Sequence, residues 1–246
     1  MYLRDRYLDL PYRANTEVLK EVMIQHNCSY EDAYQIDSHL NWNVGMQRRF
    51  YLETRCMVSM FLRVLGKYKN NDCTKIVVNC VEKITQTKFN FEMGISLVQY
   101  ELDTVDFFSK RNDEKKRIAL QIIKGSVCAL AQDRGWDLAP LEEAFRKIEE
   151  ANYNNFYIYG KPVKSPTKQY TAELSIEHQV EAIYFYAVIR NKELEIVERK
   201  LIVVESPSEW TYVQYLGKLV WSSESEIHLN NKEGFAMFTV PVNVKG

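Results

Sequence analysis

The chain has 246 residues, of which 46% are hydrophobic and 26% charged, and its 32 basic side chains nearly balance 33 acidic ones. A formal net charge of -1 gives no general attraction to nucleic acid or to an anionic membrane, so neither partner is expected. Nine glycines and six prolines leave no low-complexity tract, which excludes a long flexible tail.

The cysteines and the N-terminal sequence indicate a cytoplasmic protein. The five cysteines are odd in number and irregularly spaced, at positions 28, 56, 73, 80 and 128. The first 13 residues, MYLRDRYLDLPYR, are charged and do not resemble a signal peptide, and no window is apolar for long enough to cross a bilayer. We therefore predict reduced thiols, as is usual in the cytoplasm.

Apolar residues recur with helical spacing through the first two thirds of the chain. They predict helices over residues 15–27, 29–40, 44–67, 72–84, 89–110, 113–134 and 137–152. The segment 44–67 is the most apolar, with Phe50, Met57 and Phe61 on one side. A helix that is apolar over most of its circumference needs neighbours all round, so we expect it to stand at the centre of a helical layer.

The pattern changes after an aromatic connector at residues 152–170. Alternation with a period of two, interrupted by turn residues, predicts successive strands. We place them at residues 170–176, 180–189, 194–204, 211–221, 227–229 and 235–240. The segment 180–189 is apolar on both faces, which is typical of a central strand, and short turns between the strands favour an antiparallel meander.

These elements predict an α+β fold, with an N-terminal multi-helix layer followed by a C-terminal antiparallel β-meander. We assign residues 1–160 to a helical domain and residues 166–246 to an antiparallel β-sheet domain. The doubly apolar strand needs cover on both faces, so we expect the sheet to pack on the helical layer.

Metal and nucleophile motifs give weak candidates. No zinc or phosphate-loop motif occurs. Asp103 and Asp106, together with Glu142, are the best carboxylate set for a metal, but basic residues next to these acids favour a solvated, charge-paired surface. Cys28 precedes a predicted helix N-terminus, where a thiolate is stabilised, although no histidine partner can be placed from sequence.

A helix-turn-helix outline does not support DNA binding. Segments 15–27 and 29–40 are two helices joined by a short break. The second segment carries Glu31, Asp32 and Asp37 and has no lysine or arginine, so it would repel phosphates. A nucleic-acid partner is therefore not expected.

The aromatic residues of the connector and sheet suggest a recognition surface. The candidate partner-binding residues are Tyr153, Phe156, Tyr157, Tyr159, Trp210 and Tyr212. Tyrosine beside asparagine is typical of adaptable binding surfaces, although the same rings could fill a core.

The sequence therefore predicts a non-enzymatic cytoplasmic protein, of immunity or adaptor type, that binds another protein and needs no cofactor. The alternative is an enzyme with a dispersed site. It would be a metal-dependent hydrolase using the helical carboxylates, or an enzyme with a cysteine nucleophile. The oligomeric state is not predicted.

Overall fold

A computed structural model describes residues 1–86 and 89–243, apart from the side chain of Asn41. The last three positions of the predicted domain at 166–246 therefore lie outside the described residues. The chain divides into two compact units, Met1–Tyr153 and Asn154–Gly246.

The first unit contains a mixed four-stranded sheet. Its strands are β1 (Asp5–Asp9), β2 (Lys75–Val81), β3 (Asn90–Glu92) and β4 (Ile95–Glu101). They lie in the order β1-β2-β4-β3, with β1, β2 and β4 parallel and β3 antiparallel to β4. Ile76, Val78 and Val98 are buried on one face of this sheet.

Helices supply most of the remaining core of the first unit. They are α1 (Thr16–His26), α2 (Tyr30–Ile36), a π-helix (Asp37–Gln47), α3 (Arg48–Leu65), α4 (Thr104–Ser109), α5 (Asn112–Arg134) and α6 (Ala139–Glu150). Helix α3 packs against β1, α5 and α6, and Phe50, Met57 and Phe61 are buried, which confirms the predicted stripe of the central helix. The predicted break at residues 41–43 is wrong, because those residues continue the π-helix.

Two predicted helices of this unit are wrong. The segment 72–84 contains strand β2, and the segment 89–110 contains β3, β4 and α4. Met93 and Gly94 both have positive φ, 48° and 81°, and form the two-residue turn between β3 and β4. In β2 the buried residues alternate with half-buried ones, which is the period of a strand rather than of a helix.

Arg6 is the most unusual residue of this core. It is fully buried on β1, and its guanidinium carbon lies 3.7 Å from the centre of the Phe61 ring. No guanidinium nitrogen of Arg6 has a hydrogen-bond partner among the described residues. Burial lowers the pKa of Arg6 to about 9, because the charged form loses its hydration. This charge therefore costs stability that the ring contact offsets only in part.

We expect Arg6→Met to leave stability unchanged or to raise the free energy of unfolding by about 1–4 kcal/mol, since methionine fills similar space without a buried charge. Urea titration measures this change. The control is Arg55→Met, because buried Arg55 donates a 3.0 Å hydrogen bond from Nη1 to the carbonyl oxygen of Arg6. Its loss should cost about 1–3 kcal/mol. A clear loss for Arg6→Met would show that the Arg6 guanidinium has a stabilising partner.

The second unit is built from two antiparallel sheets. The four-stranded sheet contains β5 (Asn155–Lys164), β6 (Thr171–His178), β7 (Ile183–Arg190) and β8 (Ile196–Glu205), in that order. After a short helix, α7 (Glu209–Tyr212), the three-stranded sheet contains β9 (Lys218–Ser223), β10 (Glu226–Asn230) and β11 (Ala236–Pro241). The predicted α+β class and the C-terminal antiparallel meander are confirmed.

Two details of this region were predicted wrongly. The connector at 152–170 contains strand β5, which pairs with β6. The strand predicted over 211–221 begins as helix α7 and a 3-10 turn, and only its last residues belong to β9. Helix α7 places Tyr212 in the core, with its ring centre 6.3 Å from that of Phe185.

Candidate functional site

The four-stranded sheet of the second unit has a buried inner face. Ile176, Phe185, Ala187 and Ile189 point inward and pack in one cluster with residues of the three-stranded sheet, such as Leu229. Because successive residues of a strand point to opposite faces, the residues between these positions point outward.

The outward residues form two rows across the sheet. One row joins Phe156, Glu177, Tyr184 and Val204, which are successive partners in the strand pairing. The second row joins Ile158, Ser175, Tyr186 and Leu201 in the same way. Directly paired side chains in an antiparallel sheet lie on the same face. The outer face is defined here by its six apolar or aromatic members, Phe156, Ile158, Tyr184, Tyr186, Leu201 and Val204.

The outer face exposes apolar side chains on its two edge strands, β5 and β8, whereas Ser175 and Val188 on the middle strands are buried. Leu201 is 52% exposed, Phe156 49% and Val204 45%, while Tyr184 and Tyr186 are half-buried. Apolar residues scattered singly on a surface are normal, but neighbouring ones in register on one sheet face are not.

The charges on this face are paired. Arg199 lies 3.8 Å above the Tyr186 ring and donates from Nη2 to Glu177 Oε1 at 2.5 Å. Arg190, at the end of β7, donates from Nε to Glu173 Oε2 at 2.9 Å. These guanidinium groups are already partnered by carboxylates, so they are poorly placed to hold phosphates.

The aromatic residues predicted to bind a partner are divided between surface and core. Phe156 points outward, whereas Tyr157 and Tyr159 pack against the inner cluster. Tyr212 is 4% exposed and belongs to that cluster. Trp210, on the same short helix, is 89% exposed. Phe156 and Trp210 are thus the two members of this unit with accessible rings.

Tyr153 belongs to the first unit, as its last residue. It has a positive φ of 58°, and Arg117 lies 5.7 Å from its ring centre. Sequence reasoning missed Ile158, Tyr184, Tyr186, Leu201 and Val204 of the outer face. Alternation relates Ile158 to Phe156 and Tyr184 to Tyr186. Leu201 and Val204 are three residues apart, because the pairing of β7 with β8 shifts register between Phe185 and Tyr186, so a period of two does not reveal them.

The carboxylates proposed for a metal have other roles. Asp103 is the N-cap of α4 and accepts the backbone N–H of Asp106 at 2.9 Å. Asp106 forms a 2.7 Å ion pair with Lys110, and Glu142 is exposed on α6. Across residues 1–86 and 89–243, no group of three histidine, cysteine, aspartate or glutamate side chains is placed to hold a metal ion.

The five cysteines are free thiols, of which Cys56, Cys73 and Cys80 are buried and Cys28 and Cys128 are half-buried. Burial raises the pKa of Cys56 to about 12, and it raises the pKa of Cys80 and of Cys128 as well. These three thiols therefore stay protonated at neutral pH and are weak nucleophiles. Cys28 packs against a small cluster formed by Leu19, Val22 and Ala33.

Comparisons with known proteins add no family. No protein-family model matches the chain, and neither the curated proteins nor the solved structures contain a match. Within the described residues, no helix combines the length and the apolar character needed to span a bilayer.

Proposed function

We propose that this protein binds another protein through the outer face of the four-stranded sheet in its second unit. The observation that carries the proposal is the set of apolar side chains in register on a sheet face opposite the core, led by Leu201 and Phe156. Covering such a face on association excludes water from it and favours binding by roughly 25 cal/mol for each Å² of apolar surface covered.

The proposed role is that of an immunity or adaptor protein, which needs no catalytic group. The five free cysteines suit a cytoplasmic location, because reduced thiols persist in that compartment. The partner's surface should be apolar at its centre and carry few unpaired charges, since the arginines facing it are already bound to Glu177 and Glu173.

We expect Leu201→Asp to weaken partner binding at least about tenfold, because it buries an unpaired carboxylate within the contact. Immobilised wild-type and variant proteins would capture partners from a lysate of the source cells. Proteins retained by the wild type and lost by the variant would be identified by mass spectrometry, purified and titrated.

Val220→Asp is the matched control. Val220 is 42% exposed on the outer side of the three-stranded sheet, opposite buried Leu219. It should retain the same partner, and thermal melts should show both variants folded. The proposal fails if no protein distinguishes wild type from Leu201→Asp, or if Val220→Asp loses the partner equally. Self-association of the wild type that Leu201→Asp abolishes would also contradict it, because the bound partner would then be a second copy.

A further inference from the structure

A cleft in the first unit lies at the carboxyl ends of its parallel strands. It has a volume of about 630 Å³, and Leu10, Cys80 and Val81, at the ends of β1 and β2, line it. Thr16 at the start of α1 and Thr104 at the start of α4 lie on its rim. Ligands of open α/β sheets bind in the crevice outside the carboxyl ends of the strands, and this volume is in the usual range for a small-molecule site.

One wall of the cleft is held in place by the π-helix. Trp42 donates its indole N–H to the carbonyl oxygen of Leu10 at 2.8 Å. Tyr12 donates to Asp37 Oδ2 at 2.8 Å, and burial, followed by that hydrogen bond, raises the pKa of Tyr12. The segment after β1 is thus fixed against the π-helix, so the cleft exists before any ligand enters.

The cleft has an apolar floor and charges of both signs at its rim. Half-buried Val18 and Trp42 supply the accessible apolar surface, because Leu10 and Val81 are only 1% and 3% exposed. Exposed Arg13 brings a cation to the rim, and exposed Glu82 brings a carboxylate. Buried Asp37 also lines the cleft, and its carboxylate accepts the hydrogen bond from the Tyr12 hydroxyl. Glu82 and Thr104 also line an adjoining hollow of about 400 Å³, which contains Glu101 and Asp103 as well.

We propose that this cleft binds a small zwitterion with an apolar body, of the amino-acid or dipeptide class. Arg13 pairs with the ligand's carboxylate, and Glu82 pairs with its ammonium group. The side chain of the ligand contacts Val18 and Trp42. A zwitterion pairs with both charges at the rim. A purely anionic ligand would face Glu82 as a like charge, and a purely cationic ligand would face Arg13 as one.

The neighbouring acids favour an ammonium group over a metal ion, since the described residues contain no cluster of three that could coordinate one. A covalent reaction at Cys80 is not part of the proposal. Burial, with a further contribution from Asp9, raises the pKa of that thiol and keeps it protonated. The cleft is therefore assigned to reversible binding, and it is independent of the outer face of the second unit.

The test uses the full chain and the dipeptide L-alanyl-L-phenylalanine as its probe. We expect the dipeptide to raise Tm in a saturable manner and to change tryptophan fluorescence, because Trp42 lines the cleft. N-acetylation should weaken binding by removing the charge that Glu82 holds, and C-terminal amidation should do so by removing the charge that Arg13 holds. Each change should cost about tenfold in affinity, in the range for a hydrogen bond to a charged group.

Arg13→Gln and Glu82→Gln should each weaken the dipeptide about tenfold. Arg13→Gln should affect the amidated probe little, and Glu82→Gln should affect the acetylated probe little. The control is Arg4→Gln, which removes an exposed arginine that does not line the cleft. The inference is overturned if the dipeptide gives no saturable signal, if either neutralised probe binds as tightly as the zwitterion, or if Arg4→Gln weakens binding as much as Arg13→Gln.

Discussion

Replacing Gly217 with alanine is expected to destabilise the second unit by about 3 kcal/mol or more, at the upper end of the cost of overpacking. A Cβ atom at this position would overlap the carbonyl oxygen of Asn230 and lie 2.7 Å from its carbonyl carbon. These are backbone atoms at the end of β10, so no side-chain rotation relieves the clash. Strand β9, which follows Gly217, would have to move away from β10. The two strands are joined there by the pairing of Lys218 with Asn230.

Urea titration followed by circular dichroism measures this loss against a typical total stability of roughly 5–15 kcal/mol. Gly45→Ala is the contrasting substitution, because its Cβ would lie 3.7 Å from the carbonyl oxygen of Leu40, an ordinary contact. Alanine at position 45 should leave the free energy of unfolding unchanged or raise it by up to about 1 kcal/mol. Equal stability of the two variants would show that β9 and β10 are not held as closely as described.

The central helix and the C-terminal strands could be predicted because their patterns are long. Strand β2 shows where short patterns fail, since Ile76 and Cys80 are four residues apart and fit a helical stripe as well as a strand. Enrichment in β-branched residues over 76–78 was the signal for a strand. The pairing of β1 with β2 joins residues about 70 positions apart, such as Tyr7 and Val77, so no local window could reveal it.

The candidate face illustrates a second limit. In β5, Phe156 and Ile158 alternate with Tyr157 and Tyr159, so both faces of the strand are apolar enough to be the core. The choice is made by the pairing with β6, where Tyr157 lies beside Ile176 and Phe156 beside Glu177. Composition thus located an aromatic segment but not the strand it forms, and the direction of each ring depends on partners that are distant in sequence.

The second large effect is expected for Phe61→Ala in the first unit. Phe61 is fully buried on α3, and its ring stacks on Phe145 with centres 4.8 Å apart. The substitution removes this stacking, leaves a cavity between α3 and α6, and takes away the ring beneath the Arg6 guanidinium. We expect a loss of about 3–5 kcal/mol in the free energy of unfolding. Urea titration of the full chain measures it.

Phe91→Ala is the matched control, since the Phe91 side chain is 41% exposed on the short strand β3 and should cost about 1 kcal/mol or less. The double variant Arg6→Met with Phe61→Ala then separates the two contributions. If the Phe61 ring offsets the buried Arg6 charge, Phe61→Ala should lower the free energy of unfolding less in the Arg6→Met background than in the wild type. In that background there is no guanidinium that could lose its contact with the ring. Strict additivity would show that the ring stabilises the core by packing alone and that the Arg6 charge is compensated elsewhere.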